Sequence, residues 1–363
     1  MDLGASTDVV ELTIARAHPD ADARVGGSVL RREEREATLD AVLAPGATRP
    51  IGAGTRRRVE EPDPFRLCFE RDLDRVKHSR PWRRLAGKCQ VFVAPEDDHL
   101  RTRLTHAVEV AQIATGIARA ANLCLSLTEA IALAHDCGHG PGGHASEEAF
   151  SPYLPATGYD HAVYGADVTL ADLNLCAETL DGIRNHSWRR PSPATPEGEV
   201  VAWADRIAYV CHDFEDAVRA GILAPSDLPV DVRDVVGSRR SEQVGRFVLG
   251  ILEAIDVDGR IGMTEPTAAA LAAFREFNFE RVYLRPAART QANRVIHLLR
   301  GLVEHFADVP HRIPGVAAGE TTVGLGSPEA LAVHYVSGMT DRFALALGVE
   351  RLGWRPDDLP RGV

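Results

Sequence analysis

The pattern that most constrains the fold of this chain is a helical spacing of apolar side chains that recurs from residue 65 onwards. In LTHAVEVAQIATGIARAA (104–121), apolar residues stand at positions 110, 113, 114, 117 and 121, which is the spacing of one buried helical stripe. Sustained strand alternation, solenoid repeats and a glycine-rich phosphate loop after a strand are not found in the sequence. The sequence therefore predicts an all-α fold, with further helical patterns at 239–256, 265–278, 286–307 and 328–350.

Composition and charge exclude several classes of protein. The 363 residues carry a net charge of −11, which disfavours nucleic acid as the main partner because such proteins usually show a basic footprint. No apolar run approaches the roughly 18–20 residues of a membrane span, and the N-terminus lacks the features of a signal peptide. The six cysteines are widely spread without a CxxC pair, which favours reduced thiols and a cytoplasmic location.

Basic residues are dense over 71–103, and almost all of them are arginines. The fork of donors on arginine suits phosphate oxygens better than the point charge of lysine. Two interpretations remain open from composition: a cluster that binds a small anionic ligand, or a solvated or salt-bridged helical face.

Local signals predict where two further helices begin. Thr195 followed by Pro196 pairs an N-cap residue with a proline at the first helical position, so a long helix is expected over 195–223. Ser126 and Glu129 have the spacing of a capping box, which predicts a short helix over 126–136 that ends at the Gly138 breaker.

Four residues that can ligate a metal lie on these three predicted helices. His106 extends the apolar stripe of the first helix, His135 and Asp136 stand in the last turn of the second, and Asp205 lies on the third. Helices of a bundle can direct such ligands into one core site. Two imidazoles and two carboxylates suit one divalent ion, whether Mn, Fe, Co, Zn or Mg, and leave positions for water and substrate. For any single histidine, an ordinary core or surface role is the alternative.

The motifs around these ligands carry a family resemblance. They are FERDLDRVKHSRPWRRLAGKCQVF (69–92), RTRLTHAVEVAQI (101–113), SLTEAIALAHDCGHGPGGHASEEAF (126–150), VVAWADRIAYVCHDFEDAVRAGIL (200–223) and VSGMTDRFA (336–344). With the ordered pattern H…HD…D, this chain resembles the HD superfamily of metal-dependent phosphohydrolases and, within it, the dGTP triphosphohydrolase family. The resemblance covers most of 31–345 and implies an HD-domain helical bundle. We expect an N-terminal arm over 1–62, of which 1–30 lie outside the resemblance, a catalytic core over 63–225, and a helical C-terminal region over 226–363 that packs on the core.

The resemblance also implies roles for individual residues. The family's metal ligands fall on His106, His135, Asp136 and Asp205, and its proton-transfer pair falls on His144 and Glu147. Positions that contact the phosphates match Arg103, His139 and His161, and positions that hold the deoxyribose match Gln90, Tyr209 and Asp213. The basic stretch at 71–103 would then face a triphosphate.

The chain departs from the family pattern in the loop before His144. Gly140 and Gly142 replace a usual proline and phenylalanine, so we expect a looser loop with a thinner apolar wall and an altered base preference. Cys137 replaces an aliphatic residue, and Ala162 follows His161 where the family usually has asparagine.

Three functions remain open from the sequence. The resemblance implies a metal-dependent dNTP triphosphohydrolase that cleaves dGTP, and other dNTPs with it, to the deoxynucleoside and inorganic triphosphate. The alternatives are an HD phosphohydrolase for nucleoside monophosphates or cyclic nucleotides, and a regulatory protein that binds nucleotides or single-stranded DNA. The resemblance further implies homo-oligomers, dimers or hexamers, with dNTP as the substrate partner and without a membrane partner. It leaves the native metal and nucleotide activation open.

Overall fold

The fold consists of helices joined by short loops. The computed structural model describes residues 14–93, 97–314, 316 and 327–360. The described residues contain no named strand and form fifteen α-helices, which confirms the all-α prediction. They are α1 Arg32–Asp40, α2 Cys68–His78, α3 Arg80–Arg84, α4 Arg103–Ala120, α5 Leu125–Ala134, α6 His144–Phe150, α7 His161–Tyr164, α8 Ala177–Asn185, α9 Pro196–Arg219, α10 Val230–Val236, α11 Arg240–Asp258, α12 Glu265–Asn278, α13 Pro286–Asp308, α14 Pro328–Ser337 and α15 Asp341–Leu352.

The apolar stripe predicted on 104–121 forms the centre of the bundle. Val110, Ile113, Ala114 and Ile117 are all buried, and α4 packs against α5 and α9. Burying one such aliphatic side chain stabilises the fold by about 1.5–3 kcal/mol, so this stripe holds the three helices together. The same three helices carry the predicted metal ligands.

The predicted helix starts have different outcomes. Helix α9 begins as predicted, since the Thr195 hydroxyl accepts a hydrogen bond from the Gly198 amide and Pro196 is its first residue. The capping box predicted for Ser126 is wrong, because α5 starts one residue earlier with Cys124 as its N-cap. Glu129 is instead paired with Lys77 of α2, so a tertiary ion pair replaces the local cap.

The helical pattern at 328–350 is divided between two helices. Helix α14 ends at Ser337, and Thr340 caps a new helix by accepting a hydrogen bond from the Phe343 amide. The break lets Asp341, the first residue of α15, direct both of its carboxylate oxygens towards neighbouring loops.

Two clusters of buried apolar residues lie side by side. The larger cluster contains side chains of α2, α4, α5, α8, α9, α11 and α12. The smaller cluster joins α6 and α7 to α13, α14 and α15. The predicted site residues divide between the two clusters, because the metal ligands belong to helices of the first and His144 and Glu147 belong to α6 of the second. The site is therefore assembled where the two clusters meet.

The N-terminal arm expected over 1–62 is bound to the core by a fully buried ion pair. The described part of this arm has no α-helix between Asp40 and Cys68, and Arg56 lies opposite Cys176 in an isolated bridge. The Arg56 guanidinium and the Asp72 carboxylate are 1% and 0% exposed and lie 2.5 Å apart. Asp72 also accepts hydrogen bonds from the Cys176 amide and the Thr179 hydroxyl, which satisfies its second oxygen.

The sequence also made predictions about the cysteines and about membrane-spanning segments. All six cysteines are buried and free. Among the described residues, no helix is long and apolar enough to cross a membrane. Residues 1–13, part of the segment left unassigned by sequence, lie outside the described residues, as do 94–96, 315, 317–326 and 361–363.

We predict that Arg56→Ala lowers the free energy of unfolding by about 3–5 kcal/mol, because it leaves the Asp72 carboxylate buried without its charge partner. Urea denaturation measures the loss. The matched control is Arg57→Ala at the neighbouring exposed residue, which should change stability by less than about 0.5 kcal/mol. A loss of under about 1 kcal/mol for Arg56→Ala would mean that the ion pair does not anchor the arm.

Candidate metal and phosphate site

The structure brings the four predicted metal ligands together in one buried cluster. The Nε2 atom of His106 lies 3.0 Å from Oδ1 of Asp205, which joins α4 to α9. The Nε2 atom of His135 lies 3.5 Å from Oδ1 of Asp136 and 3.7 Å from Oδ1 of Asp205. His135 is the C-cap of α5, and Asp136 follows it.

The protonation of His135 fits a metal ligand. Its Nδ1 lies 2.7 Å from the carbonyl oxygen of Ala132, and because a carbonyl can only accept, Nδ1 must carry the proton. In the neutral ring, Nε2 then holds a lone pair that faces two carboxylates, and it has no hydrogen-bond partner among the described residues. A cation between these atoms removes the repulsion, so the donor set fits one divalent ion.

Both carboxylates of this set are ionised at neutral pH. Burial alone would raise the pKa of Asp136, but its contacts with His135, Arg103 and His139 hold it well below its usual range. Burial would likewise raise the pKa of Asp205, yet its hydrogen bond to His106 and its proximity to His135 lower it. The cluster therefore offers two ionised carboxylates to a divalent cation.

Arg103 lies directly against one of the predicted metal ligands, Asp136. It is the first residue of α4, is almost fully buried, and its Nη1 donates to Oδ2 of Asp136 over 2.7 Å. Gly143 adopts φ +63°, and a Cβ atom there would stand 2.6 Å from Nη2 of Arg103. Because glycine has no Cβ atom, Gly143 leaves room for the guanidinium of Arg103.

The predicted proton-transfer pair lies at the mouth of the cluster. The side chain of His144 is 72% exposed, and its Nδ1 is 3.7 Å from Oε2 of Glu147. The other oxygen of Glu147 contacts Nδ1 of His161 closely, so one carboxylate serves two imidazoles. Burial would raise the pKa of Glu147, but its contacts with His144 and His161 hold it well below the usual range.

His139 and His161 stack face to face with their ring centroids 3.7 Å apart. The Nε2 atom of His139 lies 3.3 Å from Oδ1 of Asp136, and burial together with the charges of Arg103 and His161 lowers its pKa well below the usual value. His139 is therefore neutral at pH 7. The phosphate contacts predicted for these two histidines stay predictions.

The residues predicted to hold a deoxyribose lie on one face of α9 and on a nearby loop. The hydroxyl of Tyr209 accepts a hydrogen bond from Nε of Arg275 over 2.9 Å, and Asp213 accepts one from the hydroxyl of Tyr283. Burial raises the pKa of Asp213 to about 7, although Tyr283 opposes this shift. The Oε1 atom of Gln90 is buried without a partner among the described residues.

Several arginines of the basic cluster at 71–103 pair with acidic side chains outside the predicted site. Arg71 and Arg75 both pair with Glu60 of the arm. Arg101 pairs with three acidic side chains, which are Glu109, Glu215 and Asp216. The salt-bridged alternative therefore holds for these residues, and of the cluster Arg103 is the member bonded to a metal ligand. Local charge density could not separate these roles, because it does not show where the acidic partners lie.

The sequence suggested that the loop containing Gly140 and Gly142 has a thin apolar wall. In the structure, apolar side chains fill the space beside both glycines. A Cβ atom on Gly140 would stand 2.6 Å from the ring of Phe150, and one on Gly142 would stand 2.5 Å from Cγ1 of Val295. Side chains of α6 and α13 thus fill the space beside both glycines. The loop is also held by Asp341, which accepts a hydrogen bond from the Gly142 amide over 2.9 Å.

Lys88 is a structural residue of the site that the sequence did not single out. Its side chain is buried, and its Nζ donates to the carbonyl oxygens of His139 and, over 2.9 Å, of Ser337. Burial, with the charge of Arg84, lowers its pKa to about 7. Asp341 completes this support by accepting from the Cys89 amide. The Lys88 amine therefore holds the backbone at His139 against the end of α14.

His186 is a further buried histidine that sequence reasoning missed. It follows α8, its ring lies edge-on to that of His135 with centroids 4.9 Å apart, and its Nε2 lies 3.2 Å from Nε2 of His161. A signal existed in the sequence: the buried positions 179, 182 and 183 of α8 continue at helical spacing to 186.

Comparison with known proteins places this arrangement in context. The HD domain family matches residues 103–210, and the phosphohydrolase-associated domain family matches residues 261–349. A deoxyguanosinetriphosphate triphosphohydrolase-like protein of Caldanaerobacter subterraneus is 38% identical over 320 residues, which cover 86% of this chain and 93% of that protein. Relatives with the same description occur in Clostridium perfringens (36% identity, covering 79% of this chain and 87% of the relative) and in Paracoccus denitrificans (34% identity, covering 86% and 100%).

A solved structure shares the fold. A hypothetical protein from Aquifex aeolicus matches with a TM-score of 0.50 at 16% identity, and the match covers 79% of this chain and 69% of that chain. At this identity the likeness concerns the fold alone.

We predict a pH-dependent stability difference between the native chain and Lys88→Met. The folded pKa of Lys88, about 7, lies below the ordinary value of 10.5, so between these values the unfolded chain binds a proton that the folded chain does not. The stability that Lys88 contributes therefore rises with pH from about 7 upwards, by at most about 1.4 kcal/mol per pH unit.

Urea denaturation of both proteins at about pH 6.5 and about pH 9.5, on either side of the folded pKa, measures this effect. As the pH rises, the free energy of unfolding of the native chain should increase relative to that of Lys88→Met. The difference between the native chain and the surface variant Lys77→Met should change far less with pH. An equal difference at both pH values would contradict the assignment of Lys88 as a buried amine that is neutral above its folded pKa.

Proposed function

Because this chain belongs to the family of deoxyguanosinetriphosphate triphosphohydrolase-like proteins with an HD domain, we propose that it hydrolyses dNTPs, dGTP among them, to the deoxynucleoside and inorganic triphosphate. One observation carries the proposal beyond family membership. The predicted metal ligands are adjoined by a buried arginine, Arg103, which donates to Asp136, and by an exposed histidine, His144, whose ring centroid lies 5.0 Å from that of His139. Charge for phosphate oxygens and a proton for a leaving group are thus available beside one centre.

His106, His135, Asp136 and Asp205 would hold the divalent ion. When bound, an ion of the Mn, Mg, Fe, Co or Zn type supplies positive charge to phosphoryl oxygens and lowers the pKa of bound water. Other groups of the chain fix the orientation of these four side chains. The Ala132 carbonyl orients the ring of His135, and Arg103 holds one oxygen of Asp136 so that the other faces the histidines.

Arg103 is our candidate for stabilising charge on the phosphates. In phosphoryl transfer most of the catalytic effect comes from positioned charges, and a buried guanidinium acts in a medium where such charges are poorly screened. We also assign His139 to the phosphates, since its Nδ1 is buried without a partner among the described residues. For His161 the same assignment stays a prediction, because Glu147 and His186 already occupy its two nitrogens.

His144 is our candidate for the acid that protonates the leaving 5′-oxygen. The imidazole is the side chain whose ordinary pKa lies nearest neutral pH, and its exposure gives a substrate direct access. Glu147 is ionised and lies beside Nδ1, so it can orient the ring and stabilise its protonated form.

Tyr209, Asp213 and Gln90 are our candidates for recognition of the sugar. The ring of Tyr209, held by Arg275, can fill the space that a 2′-hydroxyl would need. Asp213 has an oxygen without a partner among the described residues, and with a pKa of about 7 it can either donate to or accept from a 3′-hydroxyl. Such a pair would favour deoxyribose over ribose.

The products formed from each dNTP test the proposed reaction. The four dNTPs, singly and in mixtures, are incubated with the protein and Mn, Mg or Co, and the products are separated by ion-exchange chromatography. We expect deoxynucleoside and inorganic triphosphate. Pyrophosphate with a monophosphate, or no turnover with any metal, would reject the proposal. Orthophosphate released from a nucleoside monophosphate would instead favour a monophosphate hydrolase.

We predict that His144→Gln lowers kcat by about 10²–10⁴-fold with little change in KM, because it removes the proton donor and leaves the metal ligands and Arg103 in place. Steady-state kinetics with dGTP measures both constants. His78→Gln, an exposed histidine at the end of α2, is the control and should retain native rates. A His144→Gln variant with native kcat would exclude this residue as the acid.

A further inference from the structure

Two of the six cysteines contact each other beneath the N-terminal arm. Cys68 is the first residue of α2 and Cys176 is the N-cap of α8, and they are 1% and 0% exposed. The Cys176 thiol donates a hydrogen bond to the sulfur of Cys68. The reaction proposed above gives neither thiol a role, so this contact between residues far apart along the chain is unexplained by it.

Arg56 of the arm fixes the backbone around both cysteines. Its Nη2 donates to the Cys68 carbonyl oxygen over 2.8 Å, and Arg56 pairs with Cys176 in an isolated antiparallel bridge. The Cys176 amide donates to Oδ2 of Asp72 over 2.8 Å, and Asp72 is the buried carboxylate that Arg56 binds. The two thiols are therefore held together by the same ion pair that anchors the arm.

A turn of the arm over 51–54 covers the two sulfurs. The Gly54 amide donates to the Ile51 carbonyl oxygen over 3.0 Å, and Ile51 itself is exposed. A Cβ atom on Gly54 would stand 2.4 Å from Sγ of Cys176 and 3.4 Å from Sγ of Cys68, so the glycine backbone lies directly on both sulfurs. Displacement of this turn would open a path from solvent to the thiols.

The covered arrangement keeps the thiols unreactive. Hydrogen bonding to Cys68, together with burial, raises the pKa of the Cys176 thiol, whereas the thiolate is the nucleophile in disulfide chemistry. Both cysteines stand at the N-terminus of a helix, where the backbone amides favour a thiolate. Water admitted by movement of the arm would remove the effect of burial and leave the effect of the helix ends in place.

We propose that Cys68 and Cys176 are a thiol–disulfide site, covered by the Gly54 turn, which a low-molecular-weight disulfide oxidises to an intramolecular disulfide. One cysteine thiolate attacks the oxidant, forms a mixed disulfide and releases one thiolate of the oxidant. The other cysteine thiolate attacks the mixed disulfide, closes the bond between the two cysteines and releases the second thiolate. The two protons lost by the cysteines pass to the released thiolates, and the oxidant takes up the two electrons.

The disulfide ties α2 to α8. Both helices pack against α5, whose C-cap is the predicted metal ligand His135. A cross-link between residues far apart along the chain restricts the unfolded state more than the folded state, so the oxidised protein should unfold at a higher urea concentration than the reduced protein. The proposal does not depend on which phosphate ester the protein cleaves.

The alternative is that the two thiols only fill space in the core as small apolar groups. Reduced full-length protein is incubated with excess oxidised glutathione at urea concentrations below its unfolding transition, then denatured and alkylated with N-ethylmaleimide. We expect the intact mass to fall by about 2 Da, for the two thiol hydrogens, and four maleimides to be added instead of six. Peptide mapping without reduction should give one linked pair, Cys68 with Cys176.

Two pairs of variants serve as controls. Cys176→Ala should keep all five of its remaining thiols free, whereas Cys211→Ala on α9 should still form the disulfide and keep three. Gly54→Ala should oxidise several-fold faster than Gly52→Ala. Both glycines have a positive φ, but a Cβ atom on Gly52 would meet no atom of the described residues within 4 Å.

Six alkylated cysteines at every urea concentration below the transition would overturn the proposal in favour of apolar packing. A linked peptide that joins Cys68 to Cys124 instead of Cys176 would also overturn it. Equal oxidation rates for the two glycine variants would reject the turn as the cover of the site. If Cys176→Ala does not fold by circular dichroism, the peptide map of the oxidised native protein decides.

Discussion

The structure around the candidate site depends on the burial of one carboxylate, that of Asp136. This side chain is 4% exposed, yet it is ionised, and an isolated charge in such a place would cost several kcal/mol. Its environment supplies the compensation. Arg103 binds one oxygen, while His135, His139 and His161 lie within 3.3 to 3.8 Å of the other. Arg103 on α4 and His161 on α7 come from other segments of the chain, so the position of Asp136 requires the convergence of several elements.

Two further contacts hold that convergence in place. Lys88 joins the backbone of His139 to the end of α14, and Asp341 joins the loop of Cys89 to the glycine loop. Both contacts connect the two apolar clusters of the fold. The same contacts explain why the break between α14 and α15 lies at Gly338–Thr340, since an uninterrupted helix would not present Asp341 at a helix start. Secondary structure, packing and site geometry are thus linked through a few buried polar groups.

Much of the site was predictable because its residues follow local rules. Thr195 and Pro196 predict the start of α9. The helical spacing of Asp205, Tyr209 and Asp213 is enough to place all three on one face of that helix. The four metal ligands were predicted from their types and order along the chain, and the structure brings them together.

Other parts of the site were not predictable from local patterns. The capping box of Ser126 was wrong because Glu129 has a better partner on α2. The basic cluster was overinterpreted because the carboxylates that neutralise Arg71 and Arg101 come from distant segments. His186 was missed because its helical spacing from 179, 182 and 183 indicates burial and does not by itself indicate a functional site.

The sequence by itself determined the helical class, the main helices, the candidate metal ligands and the family to which the chain belongs. These follow from periodicity, capping chemistry and residue type, all of which act over a few neighbouring residues. The tertiary structure alone decided which charges are neutralised, which imidazole nitrogen carries a proton, and that His161 and His186 meet at 3.2 Å. Those properties depend on atoms that are far apart along the chain and close in space, because burial, Coulomb interactions and hydrogen bonding act through distance in the folded molecule.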